Sequence, residues 1–334
     1  MTPVQALERV VHCLDRVHDT GFKAKAFVRA LDVVKNTPPD EIAQRALAGT
    51  LTSLDGIGDS SAKVIKQALD GGPNDYLDTL EATSQIAMTE GGRRYRAALR
   101  GDCHLHSLWS DGGATIESMA TTAIALGHEY MVLTDHSPRL AIAHGLSRER
   151  LEQQVADVAE LNQRLAPFRI LSGIEVDILE DGSLDHDDDV LAELDIVVAS
   201  VHSKLRMEYR QMTARLVRAV SSPYVDILGH CTGRMIDKRP PSTFDVDVVF
   251  NACVQHNTAV EINCRPERLD PPRPMLRRAI ELGCVFSIDS DAHATGQLEW
   301  QPLGCDRAAE CDVPIDRVIN TWSLDRLLAW SRRE

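Results

Sequence analysis

The side chains in this chain best suited to chemistry are histidines and carboxylates, and their placement is regular. His104 and His106 stand in DCHLHSLWSDG, with Asp111 five residues further on. His136 follows VLTD, Glu175 lies in SGIEVD, His202 in ASVHS, His230 in ILGH, and Asp291 and His293 in SDSDAH. One histidine at the end of an apolar run is ordinarily a hydrogen-bonded surface residue. Six of the chain's twelve fall at such ends or in the matching opening segment, and that regularity predicts a multi-metal site. His104 and His106 are two residues apart, so an extended backbone turns both to one face. Asp291 and His293 share that spacing, and the two pairs are expected to converge on one ion without backbone distortion. A mixed imidazole and carboxylate set suits divalent Mn, Zn or Fe, and it contains no thiolate. Cys103 and Cys231 lie beside these residues and are read as core packing.

Such a set needs a scaffold that gathers distant segments. From Gly101 onward, short apolar runs alternate with longer helical stretches: EYMVLTDHS, FRILSGIEVDI, LDIVVASVHS, YVDILGH, TAVEINC and CVFSIDSDAH. Strand–helix alternation predicts an α/β fold with a parallel sheet or barrel. The polar residues cluster after the apolar runs, at the end where barrel enzymes place their chemistry. The first 72 residues differ. VQALERVVHCLDRV and FKAKAFVRALDVVK have helical apolar spacing, the second stopping at Asn36-Thr37-Pro38-Pro39. A Gly-Ile-Gly turn (Gly56 to Gly58) and another amphipathic helix follow, closed by Gly71-Gly72-Pro73. The reading is a helical domain over 1–72, a helical linker over 73–100 ending in several arginines, and an α/β domain over 101–334.

Composition narrows the class. The 334 residues are 43% hydrophobic and 26% charged, which excludes a disordered or fibrous chain. No apolar run reaches about 18 residues, so no membrane span is expected. The N-terminal MTPVQALERVVHCLDRVHD carries charges throughout and does not read as a signal peptide. The eight cysteines form no CxxC pair or framework, so disulfides are not expected and a reducing cytoplasm is the simplest location. The net charge is −14, which excludes a uniformly basic nucleic-acid binder. Residues 1–100 hold 13 basic and 13 acidic residues, so the excess lies entirely in the remainder. An acidic surface for solubility accounts for such an excess, and so in part do carboxylates gathered at a cation site.

The pieces DCHLHSLWSDG, LTDHS, GIEVDI, SVHS, LGHCTGR, EIN and SDAH, in that order over residues 101–334, resemble the PHP (polymerase and histidinol phosphatase) family of metal-dependent phosphoesterases. The resemblance implies a distorted TIM-like (β/α)7 barrel with three divalent metal ions at the strand C-terminal ends. It assigns His104, His106, Glu175 and Asp291 to a first ion. Glu175 would bridge to a second, completed by His202 and His230, and Asp111, His136 and His293 would hold a third. Ions of this kind activate water and neutralise phosphoryl oxygens, so no Ser or Cys nucleophile is needed. The candidate catalytic residues are Glu175, through the ions it bridges, and Arg234 and Lys204, which would grip a substrate phosphate, Arg by its planar fork. Asp135 could orient His136, and Arg139 and His144 are candidate substrate-loop residues.

LDGIGDSSAKVIKQAL resembles a helix-hairpin-helix motif, in which backbone N–H groups at a helix start face a DNA phosphate. The stretch from Val4 to Leu69 resembles the small N-terminal domain of family X DNA polymerases, whose bacterial members end in a PHP domain. The polymerase fingers and palm have no room here between residues 74 and 100. The resemblance implies DNA-end processing, as a 3′–5′ exonuclease or 3′-phosphatase in DNA repair. The partner would be DNA that is gapped or has a 3′ end, held through Gly56, Gly58, Lys23, Lys25, Arg29, Lys63 and Lys66. Those cations equally suit a solvated helix face, and binding through them would be modest and salt-sensitive. In an ungapped match the lyase lysine of such domains is replaced by Val64. Two rival readings are a small-molecule phosphatase (histidinol phosphate, a nucleotide or a sugar phosphate) and a non-catalytic DNA-binding protein.

Overall fold

A computed structural model describes residues 1–333. The chain divides into two compact units, Met1–Ile86 and Ala87–Glu334. No helix among the described residues is long and apolar enough to cross a membrane. All eight cysteines are buried and free, Cys103 and Cys231 among them.

The first unit is helical. Thr2 and Gln5 cap the helix Pro3–Arg16 reciprocally, each side chain bonding the other's backbone N–H. The helices Phe22–Lys35, Pro39–Ala48, Asp59–Asp70 and Asp75–Thr83 follow. Their apolar faces meet in one core built from Leu7, Val10, Leu14, Phe27, Val34, Ile42, Val64, Ile65 and Leu77. Gly49 and Gly71 end two of these helices in the left-handed conformation.

The second unit contains seven parallel strands in the order β1 to β7: Gly101–Leu105, Tyr130–Leu133, Arg169–Asp177, Ile196–Ser200, Ile227–Leu228, Ala259–Asn263 and Phe286–Asp289. Six of the strands are buried along their whole length, and β3 along most of its own, which is why they read as nearly continuous apolar runs. One apolar cluster packs β1, β2 and β3 on the helices Ile116–Ala125 and Arg148–Leu165. Another gathers residues of six strands, Cys103 to Ala259, around Ile319, Trp322 and Leu327 of the C-terminal segment.

The barrel closes without a regular ladder between β1 and β7. At the strand C-terminal ends, His106 N–H donates to Ala292 O and Asp291 N–H to His104 O. Within the seam, Cys103 N–H donates to Asp289 Oδ1, and the Asn320 amide bonds Gly101 O, Ile288 O, Ile288 N–H and Asp289 Oδ1. The seam is therefore held in part by side chains, that of Asp289 from β7 itself and that of Asn320 from outside the sheet, and this is where the barrel is distorted.

The segment expected as a linker over 73–100 is shared between the two units. Asn74 caps the helix Asp75–Thr83 and donates to Val64 O, which ties that helix to the first unit. The helix Glu90–Ala98 packs on the helix Gln301–Glu310 of the second. Its Gly91-Gly92 pair permits the approach, because a Cβ on Gly92 would lie 1.9 Å from Asp306 Oδ1. Arg100 pairs with Glu129 at 2.5 Å, and Arg96 donates to Leu126 O at 2.7 Å, so these arginines brace the barrel.

Candidate metal centre

The nine predicted ligands come from six strand ends, and the backbone brings them to one place. His104 lies in β1 and His106 immediately after it, their rings 5.2 Å apart. Glu175 is inside β3, bridged to the backbone of His136 beyond β2. His202 and His230 follow β4 and β5, and Asp291 and His293 follow β7. The ligand atoms of His104, His106 and Asp291 lie within 4.8 Å of one another; so do those of His106, Asp111, His136 and His293, and those of His136, Glu175 and His202. His106 therefore stands between two groups. Asp291 departs from the extended geometry that its spacing suggests. Its φ is +53°, a conformation that costs a non-glycine residue energy and clusters at functional sites.

Glu175 is central. Its Oε2 lies 2.9 Å from His136 Nδ1, 3.4 Å from His104 Nε2 and 3.6 Å from His106 Nε2. Its Oε1 lies 2.9 Å from His230 Nε2 and 3.3 Å from His202 Nε2. The carboxylate thus presents one oxygen to each of two histidine sets. Burial pushes Glu175 up, but His202, His104 and His136 outweigh it and hold the carboxyl well below its usual range. Burial also raises Asp291, and Arg265, His106, His104 and Arg268 reverse the sign. His106 is pushed well down by burial and by the neighbouring His293 and His136, which favours a neutral imidazole.

These residues fit divalent ions. His104 Nε2, both ring nitrogens of His106 and both oxygens of Glu175 are buried without a hydrogen-bond partner. Buried polar atoms are seldom left so, and a cluster of bare imidazole nitrogens around a carboxylate is the donor set of a hard to borderline cation.

Two carboxylates orient the ligands and were not singled out from sequence. Glu261 in β6 takes a hydrogen bond from His104 Nδ1 at 2.7 Å, which leaves Nε2 for the centre. It also accepts from His230 N–H and from Asn263 Nδ2. Asp177 lies 3.3 Å from His202 Nδ1 and accepts that residue's N–H. Both lie in stretches quoted above, EIN and GIEVDI, where a carboxylate two residues along a strand from another polar residue was the available signal. Asp135 has a different role from the one expected. It accepts from Ser107 N–H, Ser107 Oγ, Ser110 Oγ and Gln154 Nε2, so it shapes the loop after β1 instead of orienting His136.

The predicted phosphate-gripping cations fare differently. Arg234 donates to the carbonyls of Arg268 and Leu269, and this commits its guanidinium to bracing a loop. Lys204 is exposed, at φ +54°, with Glu180 at 3.8 Å. Arg265 and Arg268 reach the centre: Arg268 Nε lies 3.3 Å from Asp291 Oδ2, and Arg265 Nη1 3.0 Å from His293 Nδ1.

In the first unit, Lys23, Lys25, Arg29, Lys63 and Lys66 are all exposed. Arg29 pairs with Asp55 at 2.6 Å. Gly56 has φ +99° and packs against Arg29 and Val33, where a Cβ would lie 2.9 to 3.0 Å from their side chains. The Gly58 N–H is taken by Ser61 Oγ at 3.0 Å, so this donor is spent inside the motif. Val64 is fully buried, as a core residue of its helix.

The model of the PHP domain matches residues 102–263. A DNA polymerase/3′-5′ exonuclease PolX of Bacillus subtilis is 42% identical over 235 residues, which are 70% of this chain and 41% of that protein. The chain thus spans about two fifths of this relative. A protein of Thermoanaerobacter sp. described as a probable phosphatase is 29% identical over 232 residues, 66% of this chain and 89% of its own length. A histidinol phosphate phosphatase of Lactococcus lactis, solved with Zn, L-histidinol and phosphate, aligns at 18% identity and a TM-score of 0.45, over 63% of this chain and 93% of its own. Residues 102–263, which run from β1 to the end of β6 and hold seven of the nine candidate ligands, match the PHP domain, and the chain is similar over 70% of its length to the Bacillus subtilis DNA polymerase/3′-5′ exonuclease PolX.

Proposed function

We propose that the chain hydrolyses phosphoesters at DNA ends, as a 3′–5′ exonuclease or 3′-phosphatase dependent on three divalent ions. One observation carries the phosphoester chemistry: Glu175, at the middle of the cluster, turns one oxygen to His104, His106 and His136 and the other to His202 and His230. When bound, such ions lower the pKa of water and neutralise the phosphoryl oxygens. The protein's own residues do the rest. His104, His106, Asp291 and Glu175 would hold one ion, Glu175, His202 and His230 another, and Asp111, His136 and His293 a third. Glu261 fixes the ring of His104, and Asp177, 3.3 Å from His202 Nδ1, holds the His202 backbone. Arg265 and Arg268, held in place by Asp291, offer forks suited to a phosphate. Lys204 remains a candidate at the rim.

The DNA part of the reading is supported by the 42% identity to an exonuclease-polymerase and by the five exposed cations on two helices of the first unit. That surface would contribute backbone contacts, weak and salt-dependent. A small-molecule phosphatase is the second reading. It is favoured by one finding: the probable phosphatase aligns over 89% of its own length, the exonuclease-polymerase over only 41%.

The test is Mn²⁺-dependent turnover of 3′-labelled and 5′-labelled oligonucleotides, with a His104→Ala/His106→Ala double variant alongside to exclude a contaminant. Stepwise loss from the 3′ end, or loss of a 3′-phosphate, that disappears in the variant is the expected result. Intact oligonucleotides, with phosphate released only from small monoesters, would transfer the assignment to the second reading.

A further inference from the structure

Two loops that also supply candidate ligands carry apolar side chains into solvent. The first follows β1 and holds Leu108, 58% exposed; the second follows β2 and holds Ile142, 90% exposed. Isolated exposed aliphatics are common and need no explanation. These two are not isolated in position, because each rises from a segment that also supplies a candidate ligand, Asp111 or His136.

The second loop is closed at its neck. Leu146 N–H donates to His136 O at 2.7 Å, and Ser137 N–H to Glu175 O at 3.1 Å. Gly145 sits against Ser137, where a Cβ would lie 1.8 Å from the Ser137 carbonyl oxygen. The single turn Ala141–Ala143 therefore stands on a stalk rooted at the ligands. Arg150 joins this stalk to the other loop. Its guanidinium donates to His144 O and Gly145 O on one side and to Trp109 O on the other, and it lies over the Trp109 ring. The first loop is fixed in turn by Asp135 and by Gly113 N–H donating to His293 O. Neither tip is thus a loose surface segment. Arg139, exposed three residues before Ile142, adds a cation to this stalk, and its backbone N–H donates to Asp185 Oδ2.

We propose that Ile142 and Leu108 form a rim that covers the face of the nucleobase next to the scissile phosphate, with Arg139 near the adjoining phosphodiester. The proposal rests on the phosphoesterase reading and narrows its substrate to one bearing a base. The chemistry of the rim selects this occupant: an apolar surface for a flat, poorly hydrated ring, beside a positive charge for the backbone. Apolar side chains are used in this way at nucleic-acid sites, where stacking is tolerant of sequence. A bare sugar phosphate would gain nothing from Ile142 or Leu108.

The experiment compares kcat/KM on paired substrates differing only in the base. One pair is an oligonucleotide with an ordinary 3′-terminal nucleotide and the same oligonucleotide ending in an abasic residue. The other is a deoxynucleoside monophosphate and deoxyribose phosphate. The ratio within each pair cancels any general loss of fold or metal. The wild-type ratio is expected to favour the base, and to fall by about tenfold in an Ile142→Ser/Leu108→Ser double variant, the size of losing one base contact. A wild-type ratio near one, or a ratio unchanged in the variant, overturns the rim. If oligonucleotides are inert but the monophosphate pair shows the ratio and its loss, the rim stands and the DNA-end reading falls. If no member is turned over, equilibrium binding of the same pairs supplies the ratio: a preference for the base that the double variant loses supports the rim, and a ratio near one or unchanged overturns it.

Discussion

Glu261→Gln changes almost no volume, yet it should disable the first ion site, and the reason is a count of donors and acceptors. Glu261 is fully buried and accepts on both oxygens: His104 Nδ1 on Oε1 at 2.7 Å, and His230 N–H together with Asn263 Nδ2 on Oε2. An amide has only one oxygen. If it faces His104, the new NH₂ confronts two donors, the His230 N–H and the Asn263 amide. If it faces His230 instead, the NH₂ donates to His104 Nδ1, and the neutral ring must then carry its proton on Nε2, where it cannot ligate. The first arrangement leaves buried donors unpaired at about 1–3 kcal/mol, and the second removes His104 Nε2 as a ligand. Loss of such an orienting partner typically lowers metal affinity about 10- to 100-fold. Calorimetric titration of the metal-free protein with Mn²⁺ measures this directly, and circular dichroism controls for folding. Glu261→Asp, which keeps two acceptor oxygens, should recover part of the affinity. A folded Glu261→Gln variant that binds Mn²⁺ as the wild type does would refute the assignment of Glu261 as the group that sets the His104 tautomer.

Three further outcomes follow from other parts of the barrel. Gly145→Ala places a Cβ 1.8 Å from a backbone carbonyl, so the neck beside His136 must open; turnover should fall by up to about 100-fold, as small misplacements at a reacting centre do, while a variant as active as the wild type would show that the neck has slack. Asn320→Leu leaves the Ile288 N–H without a partner in the β1–β7 seam, while the Gly101 and Ile288 carbonyls keep Gln301 Nε2, and should cost about 1–3 kcal/mol, read as a lower Tm; an unchanged Tm would mean the seam closes without it. Asp226 is pushed up to about 7 by burial, against the N–H of Val197 and the charge of Arg333, so folding favours its protonated form. The contribution is fully present below the unfolded value near 4 and lost as pH rises through about 7. Asp226→Asn should therefore gain on the wild type between about pH 4.5 and pH 8, by up to about 4 kcal/mol; a stability difference that is flat with pH in chemical denaturation would contradict this.

Eight of the nine candidate ligands were legible because they sit in or directly after an apolar run, and Asp111 because it follows the His104–His106 pair in the same short segment. That pattern follows from parallel strands buried on both faces, which must place their polar residues where they emerge. Backbone conformation at the emergence was not legible. Asp291 shares the spacing of His104 and His106 but lies at φ +53°, because the chain turns after β7 to let Asp291 N–H reach His104 O across the seam. The division at Ile86, inside the stretch expected as a linker, was not legible for a related reason. Residues 74–100 read as one polar helical stretch, and only the fit of Gly91-Gly92 against the helix Gln301–Glu310, more than 200 residues away, assigns its second half to the barrel.

The orienting residues were harder still, because their meaning lies in pairs. Glu261 and His104 are 157 residues apart, and nothing near either one says that the other completes it. Arg234 illustrates the converse. Its position four residues after His230 made it a natural phosphate ligand, but the carbonyls of Arg268 and Leu269 claim its donors. Arg265 and Arg268, from a loop that carries no motif histidine, stand beside Asp291 and His293 instead. A fork already bonded to two backbone carbonyls gains little from a phosphate, since it must break those bonds first. A fork pointed at a carboxylate that an ion would otherwise engage has donors to redirect once the ion takes that carboxylate. Cation type and spacing therefore select candidates, and the acceptors that the fold has already assigned decide between them.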